Sequence, residues 1–139
     1  MSYQVIPLQA ANQRDINQFY RLHRLNVNCH RGDEIVVVGD GTDIIGCGFN
    51  RVYKSLNNDR QDWLMRSLFI NQAYRNQGLG TELVRALSAH HQGPLFTLCQ
   101  IPLVPFYQQA GFEQCKPHGN LPIVWQKDIK KGLSLLLRP

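Results

Sequence analysis

Short apolar runs divided by polar turns make up most of this chain, and two longer stretches carry apolar residues at helical spacing. "YQVIPL" (Tyr3–Leu8) predicts a first strand. In "ANQRDINQFYRLHRLNV", Ile16, Phe19, Tyr20 and Leu22 or His23 recur near the helical period, which predicts a helix from about Asn12 to Val27. The β-branched run "EIVVVGDG" (Glu34–Gly41) closes on a Gly-Asp-Gly turn, and "DIIGCGFNRVYKS" follows as its hairpin partner. Gly46 and Gly48 inside that partner predict a bulge or a close neighbour. After a polar turn at Asn57–Asp62, "WLMRSLFIN" (Trp63–Asn71) predicts another strand. The second helix runs from Leu79 to His91, with Leu79, Leu83, Val84 and Leu87 on one face and Gly93-Pro94 as its stop.

Beyond the second helix the pattern shortens. "PLFTLCQ" (Pro94–Gln100) predicts a buried strand, and Leu103–Phe112 a short helix with Pro105 in its first turn and Gly111 at its end. "FEQCK" and "LPIVWQKDI" predict a last hairpin around Pro117–Asn120. The apolar tail "GLSLLLRP" is left with two partners, its own domain or a second subunit of a homodimer. The segment Trp63–Gln100, strand then helix then strand, implies a right-handed crossover between parallel strands, while the other pairings are antiparallel. The expected fold is therefore α/β (α+β): one domain over residues 1–139, with a mixed, mostly antiparallel sheet of about seven strands flanked by helices.

Composition removes several functions. With 139 residues, 43% apolar and 18% charged, the chain suits a single globular core. No apolar run approaches the ~20 residues that span a bilayer, so no membrane association is expected. "MSYQVIPLQAANQRD" lacks a basic region followed by an apolar core, so no secretory leader is expected. Cys29, Cys47, Cys99 and Cys115 form no C-x-x-C pair, which predicts reduced thiols in a cytoplasmic protein. His23, Cys29 and His30 lack a fourth ligand at metal spacing, so no metal is expected. The net charge of +5 is spread from Arg14 to Arg138, with one short cluster at Lys127, Lys130 and Lys131, and argues against a nucleic-acid partner.

The chemistry concentrates in "LFINQAYRNQGLGTELVRAL", Leu68–Leu87. Two glycines, spaced G-x-G, stand where a helix begins. The first turn of a helix has N–H groups without intrahelical partners, and the aligned peptide dipoles add positive charge there. Gly78 and Gly80 lack Cβ atoms, so an anion can approach those amides. Arg75 adds a cation before the turn and Thr81 a hydroxyl after it. A P-loop requires Lys after the last glycine, and a dinucleotide fingerprint requires a third glycine where Leu83 stands, so neither motif fits.

The pattern that does fit is R-x-x-G-x-G, Arg75 to Gly80, between a strand and an amphipathic helix. It resembles the acetyl-coenzyme A loop of the GCN5-related N-acetyltransferase (GNAT) superfamily. "LFINQAYRNQGLG" is similar to that family's L-x-V-x-P-x-Y-R-x-x-G-x-G, with Leu68, Ile70 and Tyr74 in register, and "PFYQQAGF" (Pro105–Phe112) resembles its F-Y-x-x-x-G-F. The resemblance runs from about Tyr3 to Ile129. It implies the acyl-CoA N-acyltransferase fold with a splayed parallel strand pair. It also implies transfer of an acetyl group from acetyl-CoA to a primary amine, of a small molecule or peptide, by direct attack in a ternary complex. The cofactor's pyrophosphate is then expected on the amides of Gln77, Gly78, Leu79, Gly80 and Thr81, with Arg75 and Asn76 at the mouth of the loop. Its pantetheine arm is expected beside Leu68, Phe69 and Ile70, within reach of Gln100 and Phe106. Tyr107 takes the place of the family's general acid for the departing thiolate.

Three departures qualify the resemblance. Gln72 replaces a frequent Pro, and Gln100 stands where Asn is common. The strand before the loop has no acid in its interior, and Arg66 is its charged exception. That side chain meets either an acidic group of the acceptor or a surface acid such as Asp62, with the surface pairing favoured. Glu34 and His118 remain weak candidates for the base, beside a water. A non-catalytic acyl-CoA-binding module of the same fold is the alternative function.

Overall fold

The computed structural model describes residues 3–8, 13–56 and 60–139. Strand β1 (Gln4–Leu8) pairs antiparallel with β2 (Glu34–Gly39), and β2 with β3 (Ile44–Lys54). The turn of that hairpin is held by the Asp40 carboxylate, which accepts the N–H groups of Thr42 and Asp43 at 2.9 and 2.8 Å. Pairing passes from Val38–Gly46 to Gly39–Ile44, so Ile45 is an extra residue and the strand bulges. Both readings of the β3 glycines hold, because a Cβ on Gly46 would sit 2.5 Å from Ile70 Cδ1 and one on Gly48 3.1 Å from Leu68 and Leu87.

Helix α1 (Gln13–Leu22) stops well before Val27, and the expected start at Asn12 lies outside the described residues. Arg24 adopts φ +60°, and the Leu25 N–H reaches back to the Tyr20 carbonyl at 3.0 Å, a left-handed helix end made without glycine. β4 (Gln61–Ile70) begins two residues earlier than the sequence suggests, so Asp62 belongs to the strand. Helix α2 (Leu79–His90) follows, then β5 (Leu95–Cys99). The β4–β5 pairing is parallel and confined to Leu64–Phe96 and Met65–Thr97. Just beyond it Ser67 takes φ +59°, and its carbonyl accepts the buried Tyr20 hydroxyl at 2.7 Å.

The C-terminal region differs from expectation. A 3-10 turn (Ile101–Leu103) leads into the five-residue α3 (Val104–Gln108), shorter than the predicted helix, and β6 has only two residues (Glu113–Gln114). "LPIVWQKDI" is not a strand but contains α4 (Ile123–Lys130). The tail forms β7 (Ser134–Arg138), which pairs with β5 on one side and β6 on the other. The partner of "GLSLLLRP" is thus its own chain. The β-branched Ile123 and Val124 that suggest a strand are about half exposed, whereas Trp125 is fully buried. One large indole fixes the buried face of this segment, and Ile129 four residues later packs on the same side.

Seven strands thus lie in one mixed sheet, ordered β1-β2-β3-β4-β5-β7-β6. The chain divides into two compact units, the described residues up to Asn50 with Ser67–His91, and Arg51–Arg66 with Gln92–Pro139. In the first, Ile16, Phe19 and Tyr20 of α1 cover Ile35, Val37, Cys47 and Phe49, and α2 packs on β1 and β2. In the second, Leu64, Phe96, Leu121, Trp125 and Leu135 form the core.

Candidate functional site

In the first unit, β4 ends in a short 3-10 turn, Gln72–Tyr74, that Asn71 caps by accepting the Ala73 N–H at 3.1 Å. The Gln72 carbonyl accepts the Arg75 N–H and closes this turn. The chain then turns through two left-handed residues, Asn76 at φ +65° and Gly78 at φ +78°. Gly78 is the N-cap of α2, and no side chain caps that helix. Nothing lies within 4 Å of where a Gly78 Cβ would stand. Among the described residues, no acceptor is bonded to the N–H groups of Gly78, Leu79, Gly80 or Thr81. Leu79 is buried and anchors the helix, so its backbone alone faces the turn. The result is a row of unspent donors at the positive end of a twelve-residue helix.

Side chains brace this loop from both sides. Arg75 Nε donates to the Ile70 carbonyl at 2.9 Å, and its guanidinium lies 5.1 Å from the Phe69 ring centroid. Tyr74 donates to Asp40 at 3.3 Å, Tyr3 donates to the Gln77 amide oxygen at 2.8 Å, and the two tyrosine rings meet edge-on at 6.1 Å. The Asp43 and Thr42 amides hold the Asp40 carboxyl below its usual range, and that negative charge raises the Tyr74 phenol. Tyr74 belongs to the recognised loop pattern, but its link to Asp40, 34 residues earlier, has no local signal. Leu68, Phe69 and Ile70, the last residues of β4, are partly buried.

In the second unit, Gln100 is exposed and its carbonyl accepts the Leu103 N–H at 2.9 Å. Phe106 and Tyr107 stand on α3, their rings edge-on at 5.1 Å, and Phe112 meets Tyr107 edge-on at 6.0 Å. Tyr107 is buried. Burial pushes its phenol up to about 12, Cys99 adds to the rise and the Thr97 hydroxyl opposes it. Tyr107 therefore keeps its phenolic proton at every ordinary pH.

The candidate bases are placed unfavourably. Glu34 is engaged by His91 Nδ1 at 2.8 Å and by Asn50 Nδ2 at 3.0 Å, and His118 lies on an exposed loop, accepting the Asn120 N–H. Arg66 does not pair with Asp62, which takes Arg60 at 3.1 Å. It donates instead to the Tyr53 hydroxyl at 2.7 Å. Among the described residues no three His, Cys, Asp or Glu are grouped to hold a metal ion, and no helix is long and apolar enough to cross a membrane.

Residues 31–114 match the family described as acetyltransferase (GNAT) domain. Comparison with curated proteins found no match. Among solved structures, the acetyltransferase of GNAT family from Streptococcus pneumoniae superposes with a TM-score of 0.66 at 12% identity, covering 98% of each chain. Arabidopsis thaliana Naa50, in complex with the bisubstrate analogue CoA-Ac-MVNAL, gives 0.62 at 13% identity and covers 100% of this chain and 99% of its own. N-acetylglutamate synthase from Neisseria gonorrhoeae, complexed with coenzyme A and N-acetyl-glutamate, gives 0.62 at 15% identity. The comparison covers 99% of the present chain, which spans only 35% of the length of that synthase. At these identities the likeness is one of fold.

Proposed function

Since the chain belongs to the acetyltransferase (GNAT) family, we propose that it moves an acetyl group from acetyl-CoA to a primary amine, which attacks the thioester directly while both substrates are bound. The observation that carries this reading is the start of α2, a helix whose cap is a left-handed glycine and whose first amides have no side-chain cap. A capped helix would have spent those donors. Here they and the open space at Gly78 fit a diphosphate. In this reading the amides from Gln77 to Thr81 hold the diphosphate, and Arg75 and Asn76 flank it. The arm of the donor lies along Leu68, Phe69 and Ile70, and contacts to the donor are assigned as well to Gln100 and Phe106. Coenzyme A as the carrier agrees with the ligands named for the Naa50 and synthase complexes.

The amine arrives as its free base, and its nitrogen lone pair forms the new C–N bond as the C–S bond breaks onto sulfur. Tyr107, which burial keeps protonated, gives the departing thiolate a proton and regains one from water. The attacking nitrogen releases its proton to water. A second reading, a non-catalytic acyl-CoA-binding module, is favoured by β4, whose one carboxylate, Asp62, is buried and already taken by Arg60.

Thermal unfolding with and without acetyl-CoA tests the shared part of both readings. Saturation at a hundred times Kd adds about 2.7 kcal/mol of stability, and no shift at millimolar acetyl-CoA rejects both. Release of free thiol with a panel of primary amines separates them: amine-dependent release establishes the transferase, and binding without release the module.

A further inference from the structure

The described residues contain three non-glycine residues at positive φ, and two of them have a local reason. Arg24 closes the end of α1, and Asn76 lies in the turn before α2, where its residue type tolerates the left-handed region. Ser67, at φ +59°, stands inside β4 instead. A left-handed serine within a strand is unfavourable by itself and persists only where its surroundings hold it. The hold comes from α1. Tyr20 has no exposed surface, and its hydroxyl donates to the Ser67 carbonyl at 2.7 Å. Its ring is fixed in turn, edge-on to Phe49 at 6.3 Å and to Phe19 at 6.1 Å. Phe19 and His23 also meet the Phe69 ring, at 6.0 and 5.0 Å. From β3, the bare Gly48 and Gly46 leave room for Leu68 and Ile70. The three residues after Ser67 are thus set by α1 and β3 together, and every residue in this arrangement belongs to the first unit.

We propose that Tyr20 is a positioning residue for the acyl donor: by holding Ser67 left-handed, it sets the backbone of Leu68, Phe69 and Ile70 in the orientation that receives the donor's arm. The inference rests on the acyl-donor reading above, which assigns the arm to that stretch. An arm that lies along a strand needs backbone groups of fixed spacing and direction. The Ser67 carbonyl and the Leu68 N–H share one planar peptide, so the bond that fixes the first fixes the direction of the second. Were Ser67 to relax to the extended region, that peptide would rotate out of place at the start of the stretch. Tyr20 touches neither reacting atoms nor donor in this scheme. It acts through Ser67.

The test is calorimetry with two probes, coenzyme A and 3′-phospho-ADP, which is the coenzyme's nucleotide without its arm. Tyr20→Phe keeps the ring contacts and removes the hold. Left-handed Ser67 then becomes a minor state, and because only the competent fraction binds, the Kd for coenzyme A rises about tenfold. The Kd for 3′-phospho-ADP stays within about twofold, since its diphosphate needs only the start of α2. Glycine takes positive φ without penalty, so in a Ser67→Gly background the same Tyr20→Phe change raises the Kd for coenzyme A by about twofold or less. Ser67→Val attacks the same conformation without touching Tyr20, because a β-branched residue resists positive φ, and it has the expected signature of Tyr20→Phe even if that variant does not fold. A merely structural hydroxyl lowers the Tm of Tyr20→Phe and leaves both Kd values alone. That result, or equal losses for the two probes in folded Tyr20→Phe and Ser67→Val, overturns the positioning role while leaving donor binding standing. A wild type that binds neither probe rejects the acyl-donor reading and this inference with it.

Discussion

Two parallel strands of the sheet run on into helices, and the two junctions are built in opposite ways. After β4, the chain turns through left-handed Gly78 into a long helix whose first amides are unspent. After β5, Pro102 and Pro105 remove two N–H groups, and those of Leu103 and Val104 go to the carbonyls of Gln100 and Ile101. The first junction offers backbone donors to an anion. The second has few to offer and presents side chains instead, with Tyr107 buried and Ile101 and Leu103 exposed. In the proposed reaction the same topological step, strand into helix, would serve charge recognition in one place and proton delivery in the other, according to whether glycine or proline stands at the turn.

The largest effect belongs to the proline-rich junction. Tyr107→Phe keeps the packing against Phe106 and Phe112 and removes the proton donor, so turnover falls by about a hundredfold with acetyl-CoA affinity unchanged. Stopped-flow thiol release and calorimetry check the two halves separately, and unchanged turnover removes the assignment. Gly78→Ala breaks the other junction. A Cβ at φ +78° is strained by about 1 kcal/mol and stands where the diphosphate would approach, so the Kd for acetyl-CoA rises about tenfold while kcat at saturation holds. An unaltered Kd would return the loop to an ordinary turn.

pH sharpens the contrast. The folded pKa of Tyr107 lies above that of a free phenol, so its proton, and the stability tied to it, are fully present below pH 10 and lost as pH rises toward about 12. The turnover profile should therefore rise as the amine loses its proton and show no falling limb between pH 8 and about 10. A fall there would assign the acid to another group. The smallest effect is expected at the brace of the first junction. Asp40→Asn weakens the hold on Tyr74, and the KM for acetyl-CoA rises about threefold with kcat steady. Equal loss in kcat and KM would show a folding defect instead of a loosened loop.

The first junction was legible because everything it needs is local. An apolar run, G-x-G and helical spacing follow one another within twenty residues, and Gly78 and Gly80 have the chemistry of an anion turn without help from elsewhere. The hairpin of β2 and β3 was legible for the same reason. What failed was the end of the chain. "LPIVWQKDI" carries the β-branched residues of a strand, and a short apolar run does not declare its period. Likewise the pairs Arg66–Tyr53 and Tyr74–Asp40 join residues 13 and 34 positions apart, which no spacing rule connects.

The sequence by itself determined the strand–turn–helix that would hold a diphosphate, because backbone conformation over a few residues is set by glycine, by periodicity and by the unpaired amides of a helix start. Only the tertiary structure decided that the tail is a strand between β5 and β6, that Trp125 turns its segment into a helix, and that Tyr53 stands beside Arg66. Those outcomes depend on which surfaces remain to be buried once the rest of the chain has folded, and that quantity is not written in any one stretch of residues.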